Sequence, residues 1–488
     1  MSPSSPRILG FSPAWAAGLL IAAATLVRFF LTSWLPLLPD EAYYWQWSRH
    51  LDASYISKGP GVAYTIAAGT ALFGSNNFGI RFFAVALSAG TAWQVFLLAR
   101  RWYDDVTGLI AVLLVSVVPL YAVGAVVMTI DPLSAFFWIW AANLFSSAIT
   151  GGRWRDWLLT GFAAGCGFLG KYLNALELLA FLLFLLAAPR QRAWLARPHF
   201  WAMLGVAIFC TLPVVWWNAK HGWTTAGQLK HRGGLDGPFT FHLSTILDFF
   251  GLQAAMVSPL LFIALIVLAV LLIAGWLRQQ TPAEGDLLLL ILFLSVFGFY
   301  GVLALHLRDE PNWPAVSYLS LIIVLASRWK TLLEKPGARA FIATAYLLAW
   351  TESLALYYAN VLPLPANHDP MSRAAGWRET ALHLGTLQRD QQAELLIADS
   401  YKEASIFSFY LPDHEFIYTK HHTPPATQYD FWPGYLDVPH ASALWITSDP
   451  SPNALAADFP SITLVERVRV SFRGRALREY AIYRCETR

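Results

Sequence analysis

The amino-acid sequence predicts a polytopic α-helical membrane protein with a small α/β domain at its C-terminal end. Three observations lead there. Of the 488 residues, 56% are hydrophobic and only 13% are charged, about half the charged share of an ordinary soluble domain. Apolar runs of bilayer-spanning length recur through most of the chain. Beyond residue 360 those runs give way to short mixed stretches.

The apolar runs fall near 10–33, 79–99, 106–123, 131–149, 156–170, 173–187, 200–218, 252–276, 287–305, 313–329 and 338–358. They predict about eleven transmembrane helices, with about thirteen as the upper count. The first run follows Arg7 and looks like a signal peptide, but it is too long for one and more spans follow. It is read as an uncleaved first helix. The stretch 61–74 is apolar, short and bounded by glycine, which suits a helix lying in the interface.

Basic residues orient the bundle. With the N-terminus inside, the inner loops hold Arg100, Arg101, Arg153, Arg155, Arg190, Arg192, Arg197, Arg278, Arg328, Lys330, Lys335 and Arg339. The outer loops are longer and poorer in basic residues. They include 34–78, the "MTIDP" turn, 219–250 and the "LRDEPNW" turn.

The chain thus divides into a membrane domain, 1–360, and an extracytoplasmic α/β domain, 361–488. In the second, "LLIADS", "EFIYTK", "LWITS", "ITLVERVRV" and "REYAIYRC" read as strands. Residues 373–391 and 401–410 read as helices. Asp430 and Trp432 are candidates for exposed polar contacts there, with a structural role as the competing reading.

Several classes are disfavoured. A net charge of +3 is too small to suggest nucleic acid. Three cysteines without paired spacing support neither a disulfide framework nor a thiolate metal site. His414, His421, His422 and His440 lack tight metal-ligand spacing. "GCGFLG" at 165–170 matches a dinucleotide fingerprint only in letters. It lies inside a span, where small residues serve helix packing. The pair Asp104-Asp105 is read as a helix-end or loop feature on the inner side.

The chemistry gathers at the outer face. "PDEAYYW" places Asp40 and Glu41 directly after the first span. Tyr43 and Tyr44 follow, then Tyr55 beside Lys58 in "YISKGPG". Interfacial aromatic residues explain the rings. They do not explain two acids at a membrane surface, which are functional candidates by default. Asp131 in "TIDP" is both a second candidate and a natural helix-start residue before Pro132. Arg81 and Lys171, at the outer ends of spans, are cations for either lipid phosphate or a specific ligand. "WWNAKHGWTTAGQLKHRGG", with Asn218, His221 and Arg232, and "RDEPNWP", with Asn312 and Trp313, mix aromatic and polar groups as sugar or phosphate sites do.

These motifs, in this order ("LPDEAYYW", "YISKGPG", "GIRFF", "MTIDPLSAFFW", "GCGFLGKY", "WWNAKHGWTT", "EPNWPAVSYL"), resemble the GT-C membrane glycosyltransferases. The bacterial protein-mannosyltransferase-like and aminoarabinose-transferase-like proteins are the nearest in pattern, over most of 35–325. The resemblance implies a polyprenyl-phosphate sugar donor, a lipid, glycan or protein acceptor, and inverting transfer on the periplasmic side of the bacterial inner membrane. It assigns Asp40 as the base, with Glu41 and Asp131 as companion acids. Lys58 and Tyr44 become donor-phosphate residues, with Arg81 a further candidate. From the residues themselves, Lys171 is added as a donor-phosphate candidate, and Tyr43, Tyr55, Asn218, His221, Asn312 and Trp313 as candidate substrate contacts. The family's "KPP"-like turn reads Lys58-Gly59-Pro60 here, without its first proline. No DxD motif is present to hold a cation for a nucleotide sugar, so no metal or other cofactor is expected, although a divalent ion is compatible with the fold.

Two other readings stay open on sequence. A transporter or flippase places charges near the bilayer midplane in repeated halves, whereas here they sit at span ends and no repeat is visible. A whole-glycan ligase needs the same base and phosphate-binding cations.

Overall fold

In the computed structural model the described residues are 10–234, 236–278, 280, 282–308, 310–359, 362, 369–449 and 452–487. Asp309 and the expected domain boundary at 360/361 lie outside them.

Among the described residues the membrane domain is built from sixteen α-helices. The chain runs through α1 (Pro13–Trp34), α2 (Pro39–Arg49), α3 (Gly61–Phe73), α4 (Asn77–Trp102), α5 (Asp105–Val117), α6 (Pro119–Gly124), α7 (Ile130–Gly151), α8 (Trp154–Gly170) and α9 (Ala175–Ala187). It continues through α10 (Pro198–Lys220), α11 (Thr224–Arg232), α12 (Leu243–Val257), α13 (Pro259–Leu277), α14 (Glu284–Leu303), α15 (Ala315–Leu332) and α16 (Pro336–Tyr357). Among the described residues eight helices are long and apolar enough to cross a membrane: α1, α4, α7, α10, α13, α14, α15 and α16.

Two expected spans are broken. The run 106–123 splits at Pro119 into α5 and α6, and the run 252–276 splits at Ser258, whose φ is 83°. Each break precedes a proline, which lacks the backbone donor and pushes its predecessor out of helical geometry. The stretch 61–74 forms the short α3. The glycines of α8 pack as a small-residue face. A Cβ on Gly161 would lie 2.2 Å from the Met203 carbonyl of α10, so these two helices touch backbone to backbone.

On the face away from the first loop, charges close on each other. Asp104 caps α5 through the Thr107 amide at 2.8 Å and also pairs with Lys330. Asp286 binds Arg328 and the Tyr103 hydroxyl.

The C-terminal domain holds α17 (Trp377–Asp390), α18 (Tyr401–Tyr410) and the strands β1 (Leu395–Ala398), β2 (Tyr418–Thr419), β3 (Ser442–Thr447), β4 (Ser461–Phe472) and β5 (Arg475–Glu486). The sheet order is β2-β1-β3-β5-β4, parallel around β1 and antiparallel beyond β3. Its α18 packs on α2, and specific bonds fix the docking. Gln46 Nε2 donates to Ser408 Oγ at 3.1 Å, the Leu37 amide to the Tyr410 hydroxyl at 3.0 Å, and Arg49 to the His414 carbonyl at 2.8 Å. The domain is thereby held over the ends of α1, α4 and α7, where the candidate residues lie.

Candidate active site

Adjacent residues on a helix point about 100° apart, and that rotation separates the two acids of "PDEAYYW". Asp40, in the first turn of α2, is exposed, and its nearest cation is Lys402 of α18 at 3.7 Å. Glu41 is fully buried. It meets Arg81 edge to edge, with Nε–Oε1 2.7 Å and Nη2–Oε2 2.5 Å, and it also accepts the Met128 and Leu38 amides at 2.9 and 3.1 Å.

Arg81 spends its remaining donors on the Thr32, Leu35 and Pro36 carbonyls, at 3.2, 2.7 and 2.9 Å. A guanidinium has five N–H donors, and all five are used. This corrects two expectations: Arg81 has no donor left for a phosphate, and Glu41 has no free oxygen for a substrate. Together they clamp α1, α2, α4 and the turn before α7.

Asp131 lies in the first turn of α7, whose cap is Thr129. Its Oδ1 accepts Lys171 Nζ at 2.8 Å and its Oδ2 accepts Asn312 Nδ2 at 2.6 Å. Lys171 is buried and also reaches the Trp313 carbonyl at 3.4 Å. Its charge is therefore committed to Asp131, which corrects its assignment as a free phosphate ligand. Trp313 contributes that carbonyl, while its ring packs on Tyr300.

Lys58, by contrast with Arg81 and Lys171, is unpaired among the described residues. Its turn is held by Ser54, which meets the Tyr172 hydroxyl at 3.1 Å and donates to the Lys58 carbonyl at 3.3 Å. Gly59 replaces the expected proline for a steric reason. A Cβ there would fall 2.2 Å from the Leu169 carbonyl, so the turn presses directly onto the end of α8. Among the described residues the Lys58 ammonium makes no hydrogen bond or ion pair. Burial, then the nearby charges of Arg232 and Lys171, pull it down to about 8, against the opposing pull of Asp131 and Asp40.

Tyr44 faces the same space. Burial pushes its phenol well up, with Asp40 and Asp131 adding to the rise and Arg232 opposing it. The hydroxyl stays protonated and is a donor for a ligand. Asp40, Tyr44, Lys58, Asp131 and Arg232 thus share one field, with Lys171 and Asn312 behind Asp131.

Four other candidates are structural. The Tyr43 hydroxyl accepts the Gln428 amide at 2.7 Å and docks the C-terminal domain. Tyr55 is buried, stacks on Trp47 at 4.3 Å, and donates to the Trp47 and His50 carbonyls. Asn218 ties α10 to α11 through the Val214 carbonyl and the Thr225 amide. His221 bonds the Trp217 carbonyl at 2.8 Å and stacks on that ring. In the C-terminal domain Asp430 is likewise buried, accepting the His422, Ala426 and Thr427 amides. Trp432 stacks on His50 at 4.5 Å.

Arg232 was legible only as one basic residue of a mixed aromatic and polar loop, and Lys402 carried no signal, because it belongs to a domain whose docking the sequence does not encode locally. Among the described residues no three His, Cys, Asp or Glu side chains come together to hold a metal ion.

An exposed acid, a tyrosine and an unpaired lysine stand together at one end of a helical bundle, beneath a small α/β domain, and the similarities to known proteins support a glycosyltransferase of the GT-C superfamily. Residues 57–217 match the family model of dolichyl-phosphate-mannose-protein mannosyltransferase. The chain is 27% identical to lipid A galacturonosyltransferase RgtD of Rhizobium johnstonii, over 82% of this chain and 81% of that one. It is 32% identical to undecaprenyl phosphate-alpha-4-amino-4-deoxy-L-arabinose arabinosyl transferase 2 of Pseudomonas fluorescens, over 43% of this chain and 41% of the relative. The fold is that of ArnT from Cupriavidus metallidurans bound to undecaprenyl phosphate, with a TM-score of 0.63 at 16% identity, covering 95% of this chain and 97% of that one. The archaeal oligosaccharyltransferase AglB from Archaeoglobus fulgidus is more distant, with a TM-score of 0.52 at 13% identity, covering 88% and 69%.

Proposed function

We propose that this protein transfers a sugar from a polyprenyl-phosphate donor to a lipid A-type glycolipid at the periplasmic face of the bacterial inner membrane. The observation that carries this is Lys58, a half-buried, unpaired ammonium in one field with an exposed carboxylate, Asp40. The relatives named for lipid A and for undecaprenyl-phosphate sugars support the two substrates. The basic loops opposite the site support the orientation.

The chemistry follows from the charges. The acceptor hydroxyl attacks the anomeric carbon while its proton passes to the Asp40 carboxylate. The bond from that carbon to the phosphate oxygen breaks, and the electron pair leaves with the lipid phosphate. Lys58 and Arg232 hold the charge that develops there. Attack opposite the leaving group inverts the anomeric centre. Asp131, with both oxygens engaged, positions Lys171 and Asn312 beside the reacting atoms. The reading needs no resident metal, because these two cations supply the positive charge at the phosphate.

Transfer from a panel of radiolabelled polyprenyl-phosphate sugars to lipid A, with and without EDTA, tests the reading. Label is expected to move at an equal rate in both arms. Loss with EDTA and recovery with a divalent ion would sink the metal-free proposal. Label that never reaches lipid A with any donor would sink the acceptor.

The pH profile tests Lys58. Its ammonium is charged below about 8 and neutral above. For the free enzyme kcat/KM is expected to fall above that pH, approaching about tenfold per unit. Lys58→Arg keeps the charge at every accessible pH and is expected to remove the falling limb. An unchanged limb in that variant would assign the titration to another group.

A further inference from the structure

Arg28 lies within the membrane-spanning α1, about 9 Å in from its Trp34 end at 1.5 Å per residue. It is only 7% exposed. Its Nη1 donates to Ser88 Oγ of α4 at 3.2 Å, and among the described residues it pairs with no carboxylate. One of five N–H donors is therefore used. Arg81, about two turns of α4 nearer the surface than Ser88, shows by contrast what full satisfaction looks like in the same helix pair. A buried intramembrane cation without a counter-ion is a functional signal.

Arg28 lines a cavity of about 490 Å³. Its walls are mostly apolar, with Val115, Leu120 and Met256 among them, and its polar lining includes Thr129, Asp131 and Asn312. Glu310 and the exposed Arg373 also border it. Lys58, Tyr44, Asp40 and Arg232 are not part of its lining. Asp131 thus borders both this chamber and the field of Lys58. An apolar chamber with a buried guanidinium fits an anion carried on acyl chains.

We propose that this chamber is an intramembrane site for the acceptor lipid, with Arg28 binding its phosphate group. The assignment of the occupant as acceptor rests on the transferase reading above. The anion meets Arg28, the acyl chains meet the apolar wall, and the reacting hydroxyl is delivered past Asp131 towards Asp40. Arg28 is a specificity residue for the acceptor and takes no part in the bond exchange.

The test is lipid retention by the full-length protein in detergent, read by native mass spectrometry. The probes are phosphorylated lipid A, dephosphorylated lipid A and phosphatidylglycerol. Wild type and Arg28→Lys are expected to retain the phosphorylated form about tenfold or more over the dephosphorylated one, the scale of a charge-assisted bond. Arg28→Gln, at matched melting temperature, is expected to lose that preference. The same preference in a folded Arg28→Gln would overturn the proposal.

A second variant guards against misfolding. A Cβ at Gly124, on the cavity wall, meets no atom within 4 Å, so the backbone there accepts a side chain, and Gly124→Phe, checked for an unchanged melting temperature, directs bulk into the chamber. It is expected to lower retention of both lipid A forms and leave undecaprenyl phosphate binding unchanged. Undiminished retention would also overturn the proposal. Phosphatidylglycerol displacing lipid A at equal concentration would show a bulk-phospholipid site and remove the acceptor assignment. Retention needs no turnover, so a failure of the transferase reading shows separately, as absent transfer with every donor. If transfer occurs, Arg28→Gln is expected to raise KM for lipid A and leave KM for the donor unchanged.

Discussion

Asp40→Asn is expected to lower sugar transfer by a factor of about 100 or more, the scale of losing a general base, while the folded protein stays as stable as wild type. The stability half follows from exposure. The only ion pair of Asp40 among the described residues is with Lys402, at 3.7 Å, and both side chains are about half or more exposed. Such pairs contribute little, and surface changes usually fall within about 0.5 kcal/mol. The activity half follows from position. Asp40 stands at the open end of the site, and its charge is felt by Tyr44, Lys58 and Tyr401. Asparagine keeps the shape and cannot take the proton. Initial rates at matched expression and a melting curve decide it. An active Asp40→Asn would move proton acceptance elsewhere, and Asp131, with both oxygens bonded, would first have to give up a partner.

Glu41→Gln is expected to do the reverse, damaging the fold before the chemistry. Breaking a buried pair leaves a buried charge uncompensated and costs about 3–5 kcal/mol. Here Arg81 would keep its three carbonyl bonds but lose its only counter-charge among the described residues, and Met128 and Leu38 would lose a charged acceptor. The expected result is a large drop in melting temperature in detergent. Arg81→Met alone should be comparably damaging. The double variant should be less destabilised than the two single losses added together, because no stranded charge remains. Additive losses would mean that the pair is not coupled. A stable, inactive Glu41→Gln would return Glu41 to the chemistry.

The contrast between neighbouring acids marks the limit of the sequence. Composition and apolar run length were enough to call for a membrane bundle, because twenty-residue apolar segments have few other fates. Basic residues between the runs were enough to set one face apart from the other. The shift to alternating short runs after residue 360 marked the sheet domain, since strands repeat every two residues. Ordered motifs such as "LPDEAYYW" and "MTIDP" were enough to mark where the site lies.

Roles within the site were decided only in three dimensions. Nothing in "DE" says which acid turns inward. The rotation of α2 decides it, and Arg81 of α4 is there to receive Glu41. Lys58 and Lys171 read alike as outer-face lysines, yet Asp131 neutralises one and leaves the other free. Tyr43, Tyr55 and Asn218 looked like ligand contacts because aromatic and amide groups are shared by binding sites and by packed loops. Lys402 and Arg373 reach the site through the docking of a separate domain, and the buried, unpaired state of Arg28 exists only because α1 packs on α4. The sequence determined that the chain forms a membrane bundle and what chemical groups stand at the ends of its helices, while the breaks before Pro119 and Pro259 and the count of eight long apolar helices among the described residues emerged only in the structure. Packing alone decided which of those charges were neutralised and which were left for a ligand, because pairing depends on distances between segments far apart in the chain.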